Sequence, residues 1–227
     1  MFSAIFRFEL KYRLDKPGVY LYFLFCFAMA FISFATGSLP LDEKQYINSP
    51  SSIAEFVSIF SLAAMLMSSA IMGMPVYRDI EHSTGEYYFS YPITKAGYFW
   101  GRFLGSFLFV LIIAIGIMLG IYAGSKLGPL LGWEDAGHYG PDNFGTYLYY
   151  FLTILLPDLF FTSSLFFGLV AILKNVKVIY SSGILLFLGY IIANFFVHSS
   201  GNTTLVHLSD PFGSNSIRLI NDNRTVA

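Results

Sequence analysis

The strongest constraint on this chain is a set of five long apolar runs, at residues 19–35, 57–76, 103–123, 147–173 and 178–197. About 20 apolar residues in helical form cross the hydrocarbon core of a bilayer. Lipid offers no hydrogen bonds, so each such segment must satisfy its own backbone N–H and C=O groups, and an α-helix does so. The balance of the chain agrees, with 56% hydrophobic and 12% charged residues, against about 45–50% and 25% in soluble domains. The expected fold is all-α: a polytopic membrane helix bundle of five transmembrane helices. Residues 1–197 form the transmembrane domain and residues 198–227 a tail outside the membrane.

Several function classes are excluded at this level. A net charge of −1 gives a nucleic-acid partner no electrostatic footprint. The single cysteine, Cys26, permits neither an intrachain disulfide nor a CxxC site. His82, His138, His198 and His207 show no i, i+4 pairing of the kind a helix-borne zinc site requires. The sequence carries no HExxH, GxSxG or G-x-x-x-x-G-K-[ST], so no catalytic motif and no bound cofactor are expected in this chain. The first apolar run is longer than the roughly 7–15 residues of a signal-peptide core and is read as an uncleaved span.

Orientation follows from the cations. With the N-terminus inside, the cytoplasmic segments hold Arg7, Lys11, Arg13, Lys16, Arg78, Lys95, Arg102, Lys174 and Lys177, against Lys44 and Lys126 in the outer loops and Arg218 and Arg224 in the tail. The positive-inside rule therefore places the N-terminus in the cytoplasm and, with five spans, the tail on the far side. Residues 1–17 read as a basic helix on the membrane surface, with Phe2, Ile5, Phe6 and Leu10 on an apolar face. Glu9 and Arg13 intrude on that face. The Gly- and Pro-rich stretch 124–146 reads as an aqueous loop.

Residues 76–105 are the most ordered of the polar interruptions. Ser83 and Glu86 have capping-box spacing, and a helix starting there must end before Pro92. The resulting helix, 84–91, spans about two turns, well short of the roughly 12–15 residues an isolated helix needs. It requires a surface to dock on, and Tyr87, Tyr88 and Tyr91 share the face that would meet it. Thr94 is placed to cap the next helix. Along that helix Gly97, Gly101, Gly105, Gly116, Gly120 and Gly124 expose a stripe of bare backbone, suited either to packing within the chain or to a second copy. Asp158, beside Pro157, is the acid placed inside a span. It is either a polar site facing substrate or protons, or a carboxyl that is merely hydrogen-bonded.

The stretch 81–102 resembles the first cytoplasmic loop of permease subunits of type-2 ABC exporters, which follows E-x-x-T-x-E-x-[hydrophobic]-x-x-x-P-[IV]-x-[KR] and then G-[KR]. Glu81, Thr84, Glu86, Tyr88, Pro92, Ile93, Lys95, Gly101 and Arg102 stand at those places. The resemblance implies that helix 84–91 is a coupling helix docking on a separate ATPase subunit, where ATP and magnesium are bound. Glu81, Glu86 and Lys95 would make charged contacts there. It also implies a second permease copy as dimer partner, export of a substrate, and residence in a bacterial inner membrane. Glu9-Leu-Lys-Tyr-Arg13 and Asp210-Pro-Phe-Gly213 further resemble a bacterial subgroup fused to a C-terminal metallopeptidase. The alternative expectation is thus a membrane anchor for a fused or associated enzyme, without transport. The family has six spans, so the sequence is expected to stop short of a sixth.

Overall fold

The computed structural model describes residues 2–38, 46–82, 94–199 and 210–217. The expected coupling helix and its residues Thr84, Glu86, Tyr87, Tyr88, Tyr91 and Pro92 lie outside the described residues. Among the described residues the regular structure is entirely helical. In chain order the helices are α1 (Phe2–Leu14), α2 (Pro17–Ala35), α3 (Pro50–Glu81), α4 (Lys95–Leu131), α5 (Phe144–Leu173) and α6 (Val176–Ser199).

Local chemistry sets the boundaries. Pro17 begins α2 at a position where a missing N–H costs nothing. Thr94 caps α4 by accepting from the Gly97 amide at 3.1 Å, and Gly132, at φ 69°, closes it in the left-handed conformation. Asn143 caps α5 through the Gly145 amide at 2.9 Å. Within α5, Pro157 lacks the N–H that Thr153 O would normally receive. The helix widens to a π turn over Phe151–Leu155, where the Leu156 amide reaches back to Phe151 O.

Four helical segments are long and apolar enough to cross a membrane: Pro17–Ala35, Pro50–Asp79, Lys95–Leu131 and Phe144–Leu173. The fifth apolar run lies on α6, whose apolar part among the described residues is the shorter Ser181–Phe196. By length and composition the chain is an integral membrane protein.

Helix α4 is the axis of the bundle. It packs along α2 over most of its length, receives α1 at its beginning, and meets α3 on another side. Helix α3 in turn carries α5 and α6. The glycine stripe of α4 faces inward throughout. A Cβ at Gly101 would lie 2.9 Å from Ile5, and one at Gly105 would lie 2.8 Å from Glu9, both on α1. On α2, Cβ atoms at Gly116, Gly120 and Gly124 would meet Phe23 at 2.9 Å, the Phe27 carbonyl at 2.5 Å and the Phe31 carbonyl at 2.9 Å. A Cβ at Gly97 would lie 2.9 Å from the capping Thr94 hydroxyl. From Gly101 to Gly124 the stripe is thus occupied by this chain's own α1 and α2.

Two expectations need correction. Residues 124–131, read as the start of an aqueous loop, are the last turns of α4. Gly124 and Gly128 serve the close approach of the end of α2, where Gly128 would otherwise clash with Ala35. Here glycine marks helix crossing, not a turn. The inward face of α1 keeps Ile5 from its apolar pattern but is completed by Glu9 and Arg13, the two residues read as intruding on it. Its buried ridge is Ile5, Glu9 and Arg13, while Phe2, Phe8, Tyr12 and Leu14 are exposed.

The backbone clash at Gly120 predicts that Gly120→Val forces α2 away from α4 and costs about 1–3 kcal/mol. Gly168, also helical, has open space around its Cβ position. Gly168→Ala should leave stability unchanged or slightly raised. Thermal unfolding of the two purified variants in the same detergent checks the contrast.

Candidate functional site

A cluster of buried charges gathers where α1 crosses the last turns of α3 and the first turns of α4. It begins with helical spacing: Glu9 and Arg13 are one turn apart on α1, and Arg13 Nε donates to Glu9 Oε1 at 2.9 Å. The other Glu9 oxygen receives Arg78 of α3 at 2.9 Å and Arg102 of α4 at 2.5 Å. Arg102 also donates to Asp79 of α3 at 2.7 Å, and the Tyr98 hydroxyl donates to the second Asp79 oxygen at 2.5 Å. Glu9 is 0% exposed and Arg102 1%.

The position of Arg13 has a covalent cause. Pro75 lies inside α3 and cannot donate to the carbonyl four residues earlier, that of Ile71. Arg13 Nη2 donates to that carbonyl at 2.7 Å and to the Ser106 hydroxyl at 3.2 Å. One side chain on α1 thereby joins α3 and α4. Aromatic rings cover the cluster: Arg78 lies 4.0 Å from the Tyr12 ring centre, and Arg102 lies 5.5 Å from that of Phe8.

Three guanidiniums face two carboxylates here. Burial opposes ionisation of Glu9, but the positive charges of Arg13, Arg78 and Arg102, with the Arg102 hydrogen bond, hold its carboxyl below the usual 4.5. A carboxyl depressed in this way contributes stability above its unfolded value and loses it as pH falls through the folded value.

A second polar clasp ties the opposite end of the bundle. Asp142 accepts from Tyr147 at 2.6 Å, Ser125 at 3.0 Å and Asn48 at 3.1 Å, and pairs with Lys126 at 2.9 Å. Burial works against the charge of Asp142, and these bonds outweigh it, so its carboxyl also lies below its ordinary value. Asn48 bonds the Gly140 carbonyl and amide, and Tyr139 bonds the carbonyls of Phe34 and Ala35. The segment after α4 is thus stitched to the end of α2 and the start of α3.

Among the residues singled out in the sequence, Glu81 and Lys95 are exposed at the two helix ends that flank residues 83–93. Asp158 lies far along the chain from the charge cluster, near Ser61 on α3. Its Oδ2 is buried with no hydrogen-bond partner among the described residues. Nearby, Asp210 accepts from the Tyr190 hydroxyl at 3.0 Å and from the amides of Asn215 and Ser216. The same turn buries Phe212, whose carbonyl accepts from Ser58 at 2.8 Å. No group of three metal-ligating side chains occurs among the described residues.

Sequence reasoning missed the charge cluster, although its signals were present. In the sequence Arg13, Arg78 and Arg102 read as cations that set orientation, and Glu9 as an intrusion on an apolar face. An acid and an arginine one turn apart, sharing a ridge with Ile5, are what a buried ionic face looks like in one dimension. In comparisons with known proteins, no family model, no curated protein and no solved structure matches the chain. What the structure itself defines is an all-helical integral membrane protein whose first helix is locked to two others by a buried ionic cluster.

Removing one partner of a buried ion pair leaves an uncompensated charge and costs about 3–5 kcal/mol. Glu9→Gln should therefore lower stability by about that amount. In acid titrations followed by circular dichroism in detergent, the native protein should lose stability below pH 4.5 more steeply than the variant.

Proposed function

We propose that the chain is the membrane-spanning permease subunit of an ATP-driven exporter of the type-2 ABC class. ATP and magnesium are bound on a separate ATPase subunit, and a second permease copy completes the transport path. The N-terminus and residues 83–93 face the cytoplasm of a bacterial cell, and the tail faces the other side. The reading rests on the pattern from Glu81 to Arg102, and one structural observation supports it. The two helices flanking residues 83–93 are tied to each other through the Asp79–Arg102 pair at 2.7 Å, and both are tied to α1 through Glu9.

That arrangement suits a lever. A force delivered by an ATPase at residues 84–91 would be lost if α3 and α4 slid independently. With Arg102 shared between Glu9 and Asp79, sliding would separate charges in a buried setting, where attraction is poorly screened. The three helix ends therefore move as one body. On this reading Tyr87, Tyr88 and Tyr91 form the apolar face of the joint, and Glu81, Glu86 and Lys95 its charged rim. Asp158, in the α-helical turn that follows the π turn of α5, lies apart from the joint and is available to the substrate path.

The test is affinity purification of the full chain from native membranes, followed by assay of bound ATPase activity. The exporter reading predicts a co-purifying ATP-hydrolysing subunit. Tyr88→Asp should abolish its retention while leaving membrane insertion intact. Absence of such a partner, or undiminished retention by Tyr88→Asp, overturns the reading and leaves a membrane anchor in its place.

A further inference from the structure

Helices α2 and α3 scarcely touch. Beside the charge cluster they leave a cavity of about 390 Å³ under the end of α1. Its walls divide by chemistry. Val19 and Ile71 are buried in its wall, Met74 lines it while 44% exposed, and Lys16 and Arg78 carry the more exposed charges of its rim, with Arg13 buried. Tyr12 stands between two of these cations, with Arg78 at 4.0 Å from its ring centre and Lys16 at 5.3 Å. Glu81 is the one acid among the described lining residues, and His82 lies next to it.

The charges of the rim and the cluster behind it do not cancel. Among the described residues Arg13, Arg78, Arg102 and Lys16 stand against Glu9, Asp79 and Glu81, which leaves one positive charge in excess. Arg78 keeps 18% of its side chain exposed although it bonds Glu9. Outside the cavity, α2 presents Leu21, Leu24 and Phe25 to the surroundings, which in an integral membrane protein are lipid tails. A cationic rim above an apolar slot, at a membrane edge, matches a phosphate headgroup above an acyl chain.

We propose that this cavity is a binding site for one anionic phospholipid. The phosphate is held by Lys16 and Arg78, and one acyl chain lies against Val19, Ile71 and Met74. Lipid seated there fills the gap between α2 and α3 and brings an anion to Lys16 and Arg78. The inference requires only that the protein is embedded in a bilayer and stands apart from the exporter reading.

The full chain, purified in mild detergent and stripped of lipid, is titrated with phosphatidylglycerol or phosphatidylcholine, and retained lipid is counted by native mass spectrometry. One phosphatidylglycerol per chain should be retained in preference to phosphatidylcholine. Lys16 makes no helix-capping hydrogen bond, so Lys16→Gln leaves the fold intact. It should weaken phosphatidylglycerol binding about fivefold, the effect of one basic residue near an anionic surface. Met74→Trp, which fills the slot, should reduce binding with every rim charge present. Equal retention of both lipids, or undiminished binding by Lys16→Gln or by Met74→Trp, overturns the proposal. Competition by glycerol phosphate at the concentration of the lipid also overturns it, because the site would then be one for a free phosphate.

Discussion

The carboxylate of Glu9 is the point on which the arrangement of this bundle depends. It is buried on a helix outside the four spans and shared by arginines from three helices. A lone carboxylate there would be costly, since desolvating an ion is not repaid unless its partners are close and well oriented. Glu9 meets that condition with bonds of 2.5–2.9 Å to Arg13, Arg78 and Arg102. The pairs fix position more than they add net stability. They specify where α1 lies along α3 and α4, a register that apolar side chains would leave free to slide.

The backbone of α4 makes this closeness possible. Gly101 and Gly105 let α1 approach until Ile5 and Glu9 rest on bare helix, and Gly116 to Gly124 do the same for α2. In lipid, where apolar surfaces gain little by meeting one another, small residues that bring backbones together are the main source of helix association. Pro75 completes the design from the other side. By withholding an N–H it leaves the Ile71 carbonyl in need of a donor, and Arg13 answers it. Glycine and proline, usually signs of chain irregularity, here set where charges can be buried.

Much of the fold was legible in the sequence for simple reasons. Four of the five apolar runs lie on helices long enough to cross a membrane because length and hydropathy leave no other solution in lipid. The Thr94 cap was legible because capping is local chemistry. The end of α4 was not, since Gly124 and Gly128 look like turn residues until α2 is placed against them. The ionic cluster was hidden for a related reason. Arg13, Arg78 and Arg102 are separated by 65 and 24 residues, and orientation rules count such cations without asking which meet an acid. Only Glu9 and Arg13 carried a local signal, one turn apart on the ridge of Ile5.

The central claim is that Glu9 and Arg102 act as one unit binding α1 to α4. A double-mutant cycle on this pair, read as unfolding free energy in detergent, tests it most directly. Glu9→Gln and Arg102→Met singly should each destabilise strongly, and the double variant should cost well under their sum, with an interaction energy of about 0.5–3 kcal/mol. Additive losses would mean that the two side chains do not share an energetic fate, and the account of a three-helix clasp would fail.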